Sequence, residues 1–180
     1  MSIKKVAVIG CGTIANNSHI PAYMKNEKAE IKYFCDIIPE RAEAAVEKYG
    51  CGKAVTDYKE VLADPEIEAI SVCTPNKVHS TITIDALKAG KHVLCEKPAD
   101  RLYKQALLMQ EAQKKYGKVL NIGVCNRFNT GVNKMKELMT DTSLREKLAM
   151  NGLHSCRRFC VEEIVNNWEE LFNDLSANRR

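Results

Sequence analysis

The loop Gly10–Ala15, with the sequence GCGTIA, has the spacing GxGxxA and stands between an apolar run and a helix-like stretch. Glycine at the first position permits a tight turn, and glycine at the second lets a pyrophosphate approach the backbone closely. Alanine at the last position lets the helix pack against the strand, so that N–H groups at the helix start face the phosphates. We therefore predict a dinucleotide-binding loop; the alternative is a plain tight turn in an α/β protein.

Asp36 ends the second apolar run, somewhat farther from Gly10 than the roughly 20 residues usual in such folds. A carboxylate at this position accepts hydrogen bonds from the adenosine ribose hydroxyls and repels a 2′-phosphate, which favours NAD over NADP. Arg41 favours NADP instead, because an arginine near this loop accommodates a 2′-phosphate. The alternative role for Asp36 is a helix N-cap for the stretch that begins at Pro39.

Four further candidate residues follow the apolar run Ile67–Cys73, namely Thr74, Pro75, Asn76 and His79. Ligands of doubly wound sheets bind at the carboxyl ends of the strands, so we expect these four residues beside the cofactor. The alternative is a capped turn, with Asn76 as the N-cap and His79 in the first helical turn.

The segment Glu96-Lys97-Pro98 comes directly after the apolar run His92–Cys95. An ammonium group at a strand end can donate a hydrogen bond to a substrate hydroxyl or carbonyl and stabilise charge that builds on oxygen during hydride transfer. Glu96 can hold Lys97 in place or tune it electrostatically. We predict Lys97 and Glu96 as catalytic residues; the alternative is a surface ion pair worth about 0–1 kcal/mol.

The elements that must position these residues alternate between strand and helix over the first 125 residues or so. The predicted strands are Val6–Ile9, Ile31–Cys35, a short Ala54–Thr56, Ile67–Cys73, His92–Cys95 and Val119–Val124. The predicted helices are Thr13–Lys25, Pro39–Tyr49, Tyr58–Ala63, Val78–Ala89 and Asp100–Tyr116, with left-handed glycines after them at Gly50, Gly90 and Gly117 and N-caps at Asp57 and Asp100. This alternation predicts an α/β fold, a Rossmann-like doubly wound parallel sheet covered by helices on both faces.

The strand pattern stops at about residue 130, which predicts a domain over residues 1–130 and a helical tail over 131–180. Thr142–Asn151 and Val161–Leu175 are predicted as two helices joined by the polar segment Gly152–Cys160. Trp168 and its apolar neighbours at helical spacing predict a packing face on the second helix.

Composition narrows the classes of partner. The 180 residues carry 27 basic and 23 acidic side chains spread along the chain, a net charge of +4, so neither nucleic acid nor a membrane is predicted as a partner. No apolar run approaches the roughly 18 residues of a membrane span. The eight cysteines, without a secretion signal, predict reduced thiols and a cytoplasmic location. His154, Cys156 and Cys160 lack a fourth ligand, so no metal site is predicted.

Several segments together resemble the Gfo/Idh/MocA oxidoreductases in order and spacing, over about residues 3–137. They are GCGTIA, Asp36, DYKEVLADPEIEAISVCTPNKVHS, ALKAGKHVLCEKPAD and GVCNRF. The resemblance implies a domain that binds NAD, with NADP less favoured, and exchanges hydride with a hydroxyl of a sugar or cyclitol. It also implies positions along the cofactor: Gly10, Gly12, Thr13 and Ile14 at the pyrophosphate, Asp36 at the adenosine ribose, Thr74, Pro75, Asn76 and His79 along the nicotinamide half, Glu96 and Lys97 at its end, and Asn126 and Arg127 nearby in the crossover that leaves the domain.

The chain also departs from that family. The family's second α+β substrate domain, a mainly antiparallel sheet that supplies an Asp and a His for proton transfer, has no counterpart after residue 137. The tail, about residues 138–175, resembles the C-terminal end of GT-B glycosyltransferases instead. We therefore expect a truncated NAD(P)-dependent oxidoreductase; the alternative is a non-catalytic NAD-binding module or remnant fused to a glycosyltransferase-like tail. Whether it forms a homo-oligomer is left open.

Overall fold

The computed structural model describes residues 3–156, 165, 166 and 169, and its strands form one parallel sheet. The strands are β1 (Lys4–Ile9), β2 (Ala29–Cys35), β3 (Lys53–Val55), β4 (Ala69–Val72), β5 (His92–Cys95) and β6 (Leu120–Ile122). Their order in the sheet is β3-β2-β1-β4-β5-β6. The order reverses between β1 and β4, which is the switch point where doubly wound folds bind dinucleotides. The predicted fold class is confirmed.

Helices connect the strands. They are α1 (Ile20–Met24), α2 (Pro39–Tyr49), α3 (Tyr58–Ala63), α4 (His79–Lys88), α5 (Tyr103–Tyr116), α6 (Thr130–Thr140) and α7 (Thr142–Cys156). A π-helical turn, Ala15–His19, precedes α1, and short 3-10 turns cover Asn76–Val78 and Cys125–Phe128. None of the described helices is long and apolar enough to cross a membrane.

The core lies on both faces of the sheet. In β1, Ala7 belongs to a buried cluster with apolar residues of α4 and α5, whereas Val8 belongs to a second cluster with residues of α1 and α2. Consecutive strand residues point to opposite faces, so the two clusters lie on opposite sides of the sheet. A strand covered on both faces is apolar at most positions, which explains the uninterrupted VAVI sequence of β1.

Several helix boundaries agree with the sequence prediction. The bounds of α2 and α3 are as predicted, Asp57 caps α3 by accepting a hydrogen bond from the N–H of Lys59, and Gly50, Gly90 and Gly117 all have positive φ. The prediction for Asp100 was wrong, because the N-cap of α5 is Leu102. The Asp100 carboxylate instead accepts hydrogen bonds from the backbone of Leu102 and Ser80 and so ties the turn before α5 to α4.

The chain divides into two compact units between Val124 and Cys125. In the second unit, α6 was not predicted; Asn129 caps it by accepting a hydrogen bond from the N–H of Val132 at 3.2 Å. The prediction that a polar connection begins at Gly152 was wrong, since α7 continues to Cys156. Most of the predicted helix Val161–Leu175 lies outside the described residues, and the predicted domain limits of 1–130 and 131–180 stay predictions.

Candidate functional site

The two glycines of the first loop meet different constraints. Gly10 has φ +92°, and a Cβ there would lie 2.7 Å from the carbonyl carbon of Cys73 and 2.8 Å from the N of Thr74. Its N–H donates to the carbonyl of Cys35 at 2.7 Å, so the loop leaves β1 pressed between the ends of β2 and β4. A Cβ on Gly12 would meet no heavy atom within 4 Å. Gly10 is therefore required by the protein itself, whereas Gly12 leaves space on the cleft side.

Asn16, in the π-helical turn, fixes the conformation of this loop. Its amide Nδ2 donates to the carbonyls of Cys11 at 2.9 Å and Gly12 at 3.1 Å. The hydroxyl of Tyr49 on α2 donates to the backbone carbonyl of Asn16 at 3.1 Å. The Asn16 side chain thus binds carbonyl groups of the loop and not its N–H groups. This suits a phosphate-binding loop, because phosphate accepts hydrogen bonds from N–H groups.

The Asp36 carboxylate lies beside the loop at the end of β2. One oxygen, Oδ2, accepts from the N–H of Cys11 at 2.8 Å, and the other, Oδ1, accepts from the N–H of Ile38 at 3.0 Å. The residue is only 7% exposed, so these two bonds fix its orientation. The N-cap alternative is wrong, since the N-cap of α2 is Ile38. Each carboxylate oxygen has a second lone pair, which leaves Asp36 able to accept from ribose hydroxyls.

A cleft of about 440 Å³ opens at the carboxyl ends of β1, β2 and β4. It brings together five of the predicted site residues together with Arg41; the five are Gly10, Gly12, Asp36, Thr74 and Pro75. The Thr74 hydroxyl oxygen is buried without a hydrogen-bond partner among the described residues. An apolar cleft with a glycine loop, a fixed carboxylate and an unsatisfied hydroxyl matches the donor and acceptor needs of the adenosine and diphosphate of a dinucleotide.

Other predicted site residues lie outside the lining of this cleft. Thr13 and Ile14 are exposed immediately before the π-helical turn, and Asn76 is exposed in its 3-10 turn. Asn76 is not an N-cap, because that position belongs to Pro75. Two more, Asn126 and Arg127, belong to the second compact unit.

His79 bridges two turns instead of facing the cleft. The residue is 1% exposed, with Nδ1 at 2.8 Å from the carbonyl oxygen of Pro98 and Nε2 at 2.8 Å from the carbonyl oxygen of Thr74. The side chain thus fixes the turn after β4 relative to the turn after β5. That His79 lies along the cofactor stays a prediction. Its contact with the carbonyl of Thr74, which lines the cleft, supports an indirect role in which His79 positions Thr74.

Glu96 and Lys97, at the end of β5, are arranged differently from a surface ion pair. Glu96 Oε2 accepts from the backbone N–H of Lys97 at 3.0 Å, and Oε1 lies 2.9 Å from Nε2 of His19. The Glu96 and His19 side chains are 14% and 8% exposed, whereas Lys97 is exposed. No ion pair joins Lys97 to a carboxylate among the described residues, so the ion-pair alternative is wrong there: the Glu96 carboxylate binds the backbone N–H of Lys97 instead.

Sequence reasoning missed His19 and its other partner, Ser71. His19 Nδ1 lies 3.2 Å from the Ser71 hydroxyl, whose oxygen lies 2.8 Å from the hydroxyl of Tyr23. The signal that could have found this network is Ser71 itself. A hydroxyl inside the strand sequence AISV, which is buried on both faces, needs a hydrogen-bond partner from a neighbouring element.

The cysteines around the cleft are unreactive by environment. Burial raises the pKa of Cys11 and of Cys35 to about 12, and it raises the pKa of Cys73 further. These groups are therefore neutral thiols at physiological pH and poor nucleophiles. No group of three or more potential metal-binding side chains occurs within the described part of the chain; the sequence trio of His154, Cys156 and Cys160 lies outside the side chains described.

The comparisons with known proteins agree with this geometry. The model of the Gfo/Idh/MocA oxidoreductase family, with an NAD-binding Rossmann fold, matches residues 4–124. The chain belongs to this family. D-glucoside 3-dehydrogenase of Escherichia coli (strain K12) is 35% identical over 142 residues, which cover 79% of this chain and 40% of that protein. An inositol 2-dehydrogenase of Salmonella typhimurium (strain LT2) is 28% identical over 152 residues, which cover 83% of this chain and 45% of that protein.

Two solved structures are similar to this chain over about three quarters of its length. The WlbA dehydrogenase from Bordetella pertussis, in complex with NADH and UDP-GlcNAcA, matches with a TM-score of 0.72 and 28% identity, over 77% of this chain and 40% of that one. The 3-ketoreductase KijD10 from Actinomadura kijaniata, in complex with NADP and TDP-benzene, matches with a TM-score of 0.71 and 27% identity, over 77% and 42%. The chain thus spans less than half the length of these proteins. The likeness of the tail to glycosyltransferases stays a prediction.

Proposed function

We propose that this chain binds NAD(H) across the carboxyl ends of β1, β2 and β4 and serves as the cofactor-binding part of an oxidoreductase. The reaction is hydride transfer to or from a hydroxyl of a sugar or cyclitol. The observation that carries the proposal is the meeting of the Gly10–Gly12 loop and the fixed Asp36 carboxylate in one cleft at the switch point of the sheet. The substrate class follows the names of the family members to which the chain is similar.

The charges around the ribose position support NAD as the preferred cofactor. Asp36 is buried and held by two backbone N–H groups, so it cannot turn away from a 2′-phosphate placed beside it. Two negative charges placed side by side in a partly buried site repel each other strongly. Arg41 lines the same cleft and offers a compensating charge, and for this reason NADP is the second candidate cofactor.

The nicotinamide half of the cofactor belongs on the other side of the switch point, over β4, β5 and β6. In a doubly wound fold the dinucleotide crosses the switch point, so its two halves lie over the two halves of the sheet. Lys97 follows β5 and is exposed, with its backbone held by Glu96. We assign it the role of donating a hydrogen bond to the reacting oxygen of the substrate, where it stabilises negative charge that develops during hydride transfer.

The decisive experiment is calorimetric titration of the chain with NADH. We expect binding with one site per chain, and we expect Gly12→Val to weaken it strongly by filling the space where the diphosphate meets the backbone. Gly152→Val is the matched control, because a Cβ at Gly152 in α7 also meets no heavy atom within 4 Å and this residue does not line the cleft. Equal NADH affinity of Gly12→Val and the wild type would refute the proposal.

A non-catalytic dinucleotide-binding module is the second candidate function. It is favoured by the exposure of Lys97, because hydride transfer needs the substrate held about 3–3.5 Å from the nicotinamide and shielded from water. Turnover of inositols and sugars with NAD, followed by the absorbance of NADH, separates the two functions. We expect turnover near background for this chain alone, and robust turnover would show that it supplies a complete acid–base group.

A further inference from the structure

A hydrogen-bonded chain of four side chains runs from α1 through β4 and the π-helical turn to the end of β5. It joins Tyr23, Ser71, His19 and Glu96 through distances of 2.8, 3.2 and 2.9 Å. His19 and Ser71 are buried, at 9% and 0% exposure. None of these three contacts belongs to the backbone pairing of the sheet, and three of the four residues fall outside the adenosine cleft and the predicted site.

The donors in this chain have one consistent direction. An ionised carboxylate only accepts, so His19 Nε2 carries the proton that bonds Glu96 Oε1. When the imidazole is neutral, the other ring nitrogen, Nδ1, accepts from the Ser71 hydroxyl, whose oxygen in turn accepts from the hydroxyl of Tyr23. Burial raises the pKa of Tyr23, so the phenol keeps the proton that this arrangement requires. The imidazole is therefore held from both sides in one tautomer and one orientation.

We propose that His19 is a positioning residue for the nicotinamide half of the dinucleotide: it holds the Glu96 carboxylate and, through it, the Lys97 backbone at the end of β5. This inference rests on the proposed function. It adds a residue to the site for which the motifs of the sequence gave no role, and it explains why Glu96 is buried next to an exposed lysine.

The glycine loop and the end of β5 share one support. The π-helical turn begins with Ala15 and ends with His19, and it contains Asn16, which binds the carbonyls of the loop. A single turn therefore holds the diphosphate-binding loop at one end and the Glu96 carboxylate at the other. π-helical turns are rare and frequently occur at functional sites.

The Glu96 carboxylate is confined on its other side by Gly123, just after β6. A Cβ at Gly123 would lie 3.1 Å from Glu96 Oε1 and 3.3 Å from its carboxyl carbon. Beyond Lys97, the carbonyl oxygen of Pro98 lies 2.8 Å from Nδ1 of the buried His79. Both neighbours of Lys97 thus contact buried imidazoles, which gives the exposed lysine a packed backbone origin from which to reach a substrate.

The test compares two ligands by calorimetric titration: NADH and ADP-ribose, which lacks the nicotinamide. We expect His19→Ala to weaken NADH binding by about tenfold, the effect of one lost hydrogen bond to a charged group, and to leave ADP-ribose binding unchanged. His19→Gln restores NADH binding, because its amide reaches the position of Nε2 and donates to Glu96. His19→Asn is the matched control, because its amide is too short to reach Glu96.

A second variant reaches the same carboxylate without altering the π-helical turn. Gly123→Ala displaces Glu96 from the β6 side, and we expect the same selective loss of NADH affinity, which keeps the inference testable if His19→Ala does not fold. Unchanged NADH binding in both His19→Asn and Gly123→Ala would overturn the inference, as would equal losses for NADH and ADP-ribose. Failure of the wild type to bind either ligand would overturn the proposed function instead.

Discussion

Replacing Gly10 and Gly12 separately by alanine should damage two different properties of the protein. At Gly10, alanine must adopt φ +92° and place its Cβ 2.7 to 2.8 Å from backbone atoms of Cys73 and Thr74. The unfavourable backbone conformation costs about 1–2 kcal/mol, and the overlap with backbone that cannot rotate away adds about 1–3 kcal/mol. We therefore expect Gly10→Ala to lower the free energy of unfolding by about 2–5 kcal/mol.

At Gly12 the same substitution meets no atom of the protein within 4 Å, so the folded state has room for it. Alanine also restricts the unfolded chain more than glycine, and the expected change in the free energy of unfolding lies within about 1 kcal/mol of zero. The added methyl group stands where a diphosphate must approach the backbone, so NADH affinity should fall by at least about tenfold.

Urea unfolding and calorimetric titration of both variants measure the two effects separately. The expected pattern is a large loss of stability with Gly10→Ala and a loss of NADH affinity at nearly full stability with Gly12→Ala. The reasoning is refuted if Gly10→Ala is as stable as the wild type, because the backbone contacts at β4 then do not constrain the loop. It is also refuted if Gly12→Ala binds NADH normally, because the diphosphate then does not lie against that residue.

Three further predictions concern charge and reactivity. Asp36→Asn should reduce the preference for NAD over NADP, measured as the ratio of the two dissociation constants, because it removes the charge that repels a 2′-phosphate; an unchanged ratio would contradict the assigned role of Asp36. The hydrogen bond from Lys32 lowers the pKa of Asp64 to about 2 from its ordinary 3.8, so this carboxylate stabilises the fold above the higher value and loses that contribution as pH falls toward the lower one. Urea unfolding between these pH values should accordingly show a shallower decline for Asp64→Asn than for the wild type, and identical slopes would count against the pair. Mass spectrometry after brief treatment with iodoacetamide should find the exposed Cys125 alkylated and Cys11, whose pKa burial raises to about 12, unmodified until the protein is unfolded; early labelling of Cys11 would contradict its burial.

The local parts of the fold were predictable from sequence because their causes are local. The glycine loop follows from the tight turn and close approach that Gly10 makes, and the bounds of α2 follow from Pro39 at its start and the left-handed Gly50 at its end. Uninterrupted apolar strands followed by helices allow little besides a parallel sheet covered on both faces. For α6 the sequence signal is the N-cap residue Asn129, which stands alone because no predicted strand follows it.

The site was only partly predictable, because its key contacts join residues far apart in the chain. Glu96 and His19 are 77 positions apart, and no motif links them. The chemistry of each residue was visible in the sequence, but its partner depended on which strand ends become neighbours in the sheet. His79 illustrates the consequence: its position after β4 suggested contact with cofactor, yet both ring nitrogens are occupied by the carbonyls of Thr74 and Pro98.

The two halves of the proposed dinucleotide site differ in how completely the described residues build them, and that difference separates affinity from turnover. The adenosine half has a defined cleft in which a buried carboxylate and a glycine loop face the same space, so most of the binding free energy can be realised there. The nicotinamide half has an anchored backbone at Lys97 but an exposed ammonium, and a charge in water stabilises a developing oxyanion far less than one in a desolvated site. Binding of NADH should therefore depend on Gly12 and Asp36 whether or not a substrate is turned over. A higher rate of turnover, by contrast, requires that water be excluded from around the Lys97 ammonium.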